Sequence, residues 1–105
     1  MCDVLNADTL LAFLLADRQE VSFKDLRLFR DRIQTASDDI LVDISEPALD
    51  MALECYPHVF IMHGDHIAKA PTADRFLASE YAQDEFYSTV TAKTTTCVRS
   101  LLAAV

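Results

Sequence analysis

Glycine is almost missing from this chain: one occurs in 105 residues, beside three prolines and no tryptophan. Folds built from many short strands use turn residues at every reversal, so a β-sandwich or barrel is not expected. A phosphate-cradling loop is excluded as well, because such loops need several glycines to bring backbone N–H groups onto the anion. Basic residues are few. Nine Lys and Arg stand against 17 Asp and Glu, giving a formal net charge of -8. A surface of that sign repels nucleic acid unless its cations are gathered on one face. The apolar runs fall far short of the about 20 residues that cross a membrane. Asp3 and Asp8 interrupt the first apolar stretch, which has no basic residue before it, so no secretory leader is expected. Cys2, Cys55 and Cys97 are odd in number and widely spaced. Free thiols in a reducing, cytoplasmic setting are the expectation.

Helix formers and apolar side chains are plentiful, with 51% hydrophobic residues. The chain is long enough for one domain with one core, mainly α with at most a few strands. From Asn6, Leu10, Leu11, Leu14 and Leu15 recur at helical spacing, with Phe13 widening the stripe. This predicts a helix over 7–17. A second helix starts at Ser22, where Asp25 three residues on resembles a capping box. Phe23, Leu26, Phe29 and Ile33 form its apolar side, and Val21 is placed for a short β-bridge. The stretch QTASDDILVDIS reads as a connector, in which Ile40, Leu41, Val42 and Ile44 are β-prone or buried but too short a run to assign. A third helix runs from Ser45, with Pro47 in its first turn, to Pro57. Its expected core stripe is Leu49, Ala52, Leu53 and Tyr56, and Cys55 is placed beside it.

Val59 to Met62 and Ile67 to Ala68 predict a hairpin, with Gly64 and Asp65 as its turn. Three helices and a hairpin in this order predict a winged helix-turn-helix over residues 1–70. Residues 71–105 follow as a C-terminal helical extension of the same domain. Thr72 is the expected cap of that extension. Phe76, Tyr87, Val90, Thr94, Cys97 and Leu101 form its stripe, widened by Leu77, Phe86, Val98, Leu102 and Val105. Thr94, Thr95 and Thr96 make a poor helix run, which marks a break.

Cys55, His58, His63 and His66 form C-x2-H-x4-H-x2-H, all zinc-ligand types. The hairpin argues against a metal. It sets His63 opposite His66, whereas strand alternation turns His58 away from His63. Four ligands around one ion require giving up the hairpin, so no metal and no cofactor are expected. A nucleophile needs a base within reach, and Cys55 near His58 is the only pair the sequence offers. A free cysteine beside core positions is more simply a small buried hydrophobe, so no enzyme is expected.

LLAFLLADRQEVSFKDLRLFRDRI followed by ALDMALECYPHVFIMHGDHIAKA resembles the LOTUS (OST-HTH) family of winged-helix domains. Val21-Ser22-Phe23, Leu49 to Leu53, and Tyr56-Pro57-His58-Val59-Phe60 carry the resemblance, which covers about residues 7 to 70. The La motif, another winged helix, has a similar order. Two departures stand out. This chain reads DDILVDISEP where the family has a glycine-containing segment, and it is acidic where RNA-binding members are basic. The resemblance implies a protein-binding adaptor in RNA metabolism or germ granules, which self-associates or binds a DEAD-box RNA helicase through an added C-terminal helix.

A three-helix core with a wing is complete without the C-terminal stretch. Phe76, Phe86, Tyr87, Val90 and Leu101 are therefore the candidate protein-interface residues. Lys24, Arg27, Arg30, Arg32 and the wing's Lys69 are the candidates for a nucleic-acid-binding alternative. A third class is a small acidic viral or phage inhibitor that presents carboxylates to a basic site.

Overall fold

The computed structural model describes residues 3–88 and 90–103; Cys2 and Val105 lie outside the described residues. Its centre is α1 (Ala7–Leu15), in which eight of nine residues are buried. A helix apolar on every side must be surrounded, and here the third helix, the short strand after α1 and the C-terminal segment close over it. Leu10, Leu11, Ala12 and Leu15 have no exposed surface. The single expected stripe is thus a whole cylinder.

α2 (Phe23–Ala36) begins where Ser22 Oγ accepts the Asp25 N–H at 3.1 Å. It buries only Leu26, Phe29 and Ile33, one seam at 3–4 spacing. α3 (Glu46–Cys55) carries proline in its first turn, as expected. Only Ala52 of α3 is fully buried, while Leu49, Leu53 and the following Tyr56 pack half-exposed against the core. Cys55 is exposed, not buried beside that stripe. It falls on the solvent side of the helix's last turn.

The hairpin forms from β4 (Phe60–His63) and β5 (His66–Lys69), with His63 directly opposite His66. Gly64 has φ of 67°, a left-handed conformation that glycine adopts without a Cβ penalty. β2 (Glu20–Ser22) pairs antiparallel with β5, so the sheet order is β2-β5-β4. Val21 sits opposite Ile67, and both are buried.

A second sheet is absent from the expected order. β1 (Asp3–Leu5) pairs in parallel with β3 (Ile40–Val42), Val4 against Leu41. The supposed connector is thus a strand. Its outer edge is closed from α2, where Gln34 Oε1 accepts the Val42 N–H at 3.0 Å. With 58% helix and 17% strand, the fold is mixed α/β: the expected helices and hairpin are joined by β1, β2 and β3.

The C-terminal stretch is broken into α4 (Ala73–Leu77), α5 (Glu80–Ala82), a π-helical turn (Gln83–Tyr87) and α6 (Ala92–Ala103). The break comes before α6, not at the threonine run. Thr91 Oγ1 accepts the Thr94 N–H at 3.2 Å, a capping bond that starts the helix. The threonines here open a helix because their hydroxyls have partners. Asp3 Oδ2 accepts from Thr94 Oγ1 at 2.6 Å and from Thr91 Oγ1 at 2.9 Å, tying β1 to α6. A second tie runs through the core, where Thr9 Oγ1 donates to the Phe86 carbonyl at 2.8 Å. Phe86 stands at the C-terminal end of its helical turn, where carbonyls have no intrahelical partner, and a hydroxyl from α1 meets this one. The radius of gyration, 12.7 Å, matches the about 13 Å of a packed chain of this length.

Candidate functional site

The outward side of α3 is the most distinctive surface. Glu46, Asp50 and Glu54 recur every four residues and so stand in one column. All three are exposed. The ion pairs among the described residues are Arg30 with Asp31, His66 with Asp65, and Lys69 with Asp74. The α3 carboxylates therefore face solvent without a cation.

Two shallow clefts flank α3. The first, about 390 Å3, lies between α2, α3 and the hairpin. Its apolar lining is Phe23, Leu26, Ile44, Leu49 and Met62, with Arg27 on the α2 rim and Glu46 and Asp50 on the α3 rim. The second, about 430 Å3, lies between α3 and the start of α1, lined by Asp8, Asp43, Ala48, Met51, Cys55 and Tyr56 among others. Met51 is 65% exposed and Met62 44%.

Asp8 sits half-buried on the second cleft, and burial raises its carboxyl above the usual aspartate range. Nearby, the Tyr56 hydroxyl donates to Glu85 Oε1 at 2.6 Å. Burial, then this bond, pushes the phenol upward. Asp3 behaves in the opposite way, held below the usual range by the Thr94 and Thr91 hydroxyls.

The two aspartates differ in sign. Asp3 contributes stability above its unfolded value, and loses it as pH falls through its lowered folded value. Ionised Asp8 costs stability, and that cost builds as pH rises from the unfolded value through the raised folded one. Asp3→Asn is expected to lower Tm at pH 7, with a deficit that shrinks on acidification. Asp8→Asn is expected to raise Tm at pH 7, with a gain that disappears near pH 3. Circular-dichroism melts at both pH values measure this. Shifts of the same sign in both variants contradict it.

The expected nucleic-acid residues do not form one patch. Lys24, Arg27 and Arg32 are exposed and Arg30 is half-buried. They are spread around the open arc of α2, with Asp25 and Asp31 between them. Lys69 lies apart from them and is engaged within the chain. Its side chain is 6% exposed and its Nζ is held by Asp74 at 2.5 Å.

The expected interface residues are also largely used internally. Phe86 has no exposed surface and Val90 is 8% exposed. Phe76, Tyr87 and Leu101 are half-buried against the same core. Phe86 meets the rings of Tyr56 at 4.8 Å, Phe60 at 6.0 Å and Phe76 at 6.0 Å. Tyr87 packs on Phe13 at 4.8 Å, with the Arg99 guanidinium 5.7 Å from both rings. Two aromatics of the extension complete the packing around α1 and α3, which the first three helices and the hairpin leave open.

His58 turns its ring edge to Phe76 at 5.1 Å. No hydrogen bond joins it to Cys55 among the described residues. Among those residues no group of three or more His, Cys, Asp or Glu is placed to hold a metal ion. No described helix is long and apolar enough to cross a membrane. No protein-family model, curated protein or solved structure matches the chain.

Proposed function

We propose that the chain is a non-catalytic winged-helix interaction module whose partner is a protein. The order α1, β2, α2, α3, β4, β5 supports it, with β2 added to the hairpin as a third strand. β1, β3 and the C-terminal helices are additions to that plan. In a helix-turn-helix the second helix of the motif lies in the major groove, among phosphates. Here that helix is α3, and its outward side chains are Glu46, Asp50 and Glu54. Three unpaired carboxylates are repelled by a phosphate backbone, whereas a protein partner can bring cations to them. This carboxylate column is the observation that carries the proposal.

The LOTUS resemblance suggests an RNA helicase as the first partner to try. The surface that would meet it moves from the C-terminal aromatics to α3. Labelled duplex DNA, duplex RNA and single-stranded RNA are expected to show no saturable anisotropy change with the chain at about 50 mM salt, where phosphate contacts are strongest. A purified DEAD-box helicase or another single protein is expected to bind stoichiometrically in calorimetry. Saturable nucleic-acid binding that weakens steeply with salt sinks the proposal.

A further inference from the structure

We infer that the cleft between α2, α3 and the β4–β5 hairpin seats an amphipathic helix whose polar side is basic. This rests on the protein-binding role proposed above and names the chemistry of the partner. The floor is apolar, from Phe23, Leu26, Ile44 and Leu49, and Met62 stands over it from the hairpin. Such a floor takes the i, i+3, i+4, i+7 side chains of a helix laid along it. Methionine suits a surface that must fit alternative side chains, because it is unbranched and polarizable.

The rims supply the charge. Glu46 and Asp50 line one side, and Glu54 continues their column, with no ion pair on any of them among the described residues. Lysines or arginines flanking the occupant's apolar stripe would meet this column. Arg27 on the opposite rim is the single basic lining residue, and it sets direction by attracting an acidic residue on the occupant's far side. α3 lines the cleft from Glu46 to Asp50, about one turn, and Phe23 to Arg27 of α2 and Met62 of the hairpin carry the seat across to the other rim. A second copy fits less well. It presents the same uncompensated carboxylates, on a chain whose net charge is already -8.

The probe is a labelled synthetic peptide of about four helical turns, with leucines on one stripe and lysines elsewhere, titrated against the full chain by anisotropy. A matched peptide with glutamates for lysines is the first control. The lysine peptide is expected to bind, and the glutamate peptide to bind at least about tenfold more weakly. Asp50→Lys is expected to weaken the lysine peptide by about tenfold. Asp17→Lys, the same charge change on another side of the molecule, is expected to leave it within about twofold. Met62→Asp, at an exposed strand position, is expected to cost about tenfold as well, with the circular-dichroism melt unchanged.

Equal weakening by Asp50→Lys and Asp17→Lys overturns the inference, because it means generic attraction to an acidic protein. No binding of the lysine peptide overturns it too. So does a dimer seen by light scattering that Asp50→Lys dissociates, since a second copy then fills the cleft. If the peptide fails while nucleic acids also fail to bind, only this inference is lost. If nucleic acid binds, the protein-binding role itself is lost.

Discussion

Phe86→Ala lowers the unfolding free energy by about 3–5 kcal/mol, the range for emptying a large aromatic site in a core. Phe86 is fully buried in the π-helical turn and touches rings from α3, β4 and α4 or their flanks. Small domains have only about 5–15 kcal/mol in total, so the loss takes up much of the margin. Part of the cost is transfer of the ring to water. The rest is the void left between Tyr56, Phe60 and Phe76, which are anchored on separate elements and close in only partially. Urea unfolding followed by circular dichroism gives the midpoint shift. Tyr81→Ala is the control. Tyr81 is 64% exposed although its ring lies 5.7 Å from Phe76, and its loss is expected to cost less than about 1 kcal/mol. A Phe86→Ala variant as stable as the parent means that this ring cluster is not central to the core.

Truncation after Ala70 has a larger effect: the remaining piece loses cooperative unfolding altogether. The cut removes Ala73, Leu77, Ala82, Phe86, Val90 and Val98 from the core. It uncovers the side of α1 that carries Phe13, and removes the Thr91 and Thr94 partners of Asp3. It also strands the Thr9 hydroxyl, whose acceptor is the Phe86 carbonyl. A broad, gradual melt with strong dye binding to exposed apolar surface is the expected result. A sharp two-state melt of residues 1–70 contradicts it, and restores the C-terminal stretch as a detachable appendage.

The parts of the fold that sequence patterns expressed well are those whose side chains alternate between core and water. Leu26, Phe29 and Ile33 on α2 show this at helical spacing. The turn at Gly64 and Asp65 has chemistry that few other dipeptides provide. β1 was not legible and β3 showed only as the β-prone residues Ile40 to Val42, because three residues each give no period and their pairing joins distant segments. The tail misled for a different reason. Its apolar spacing is real, but spacing cannot say whether a ring meets its own core or a partner. α1 holds the missing information: a helix apolar on all sides demands more cover than two helices and a hairpin supply. The α3 column is present in the sequence as Glu46, Asp50 and Glu54, but spacing alone does not say whether cations stand beside it. Met51 and Met62 gave no signal, since exposure is a property of the assembled fold.

The tie between Thr9 and Phe86 spans 77 positions of chain. During synthesis at about 5–20 residues per second, roughly 4–15 s pass between these two residues. For that interval the leucine-rich first helix has left the ribosome without the segment that covers it. Local pairing cannot shorten the wait, because the β1–α6 tie closes later still. Cover for α1 therefore arrives only after the stretch that carries Phe86, Val90 and Val98 has been made.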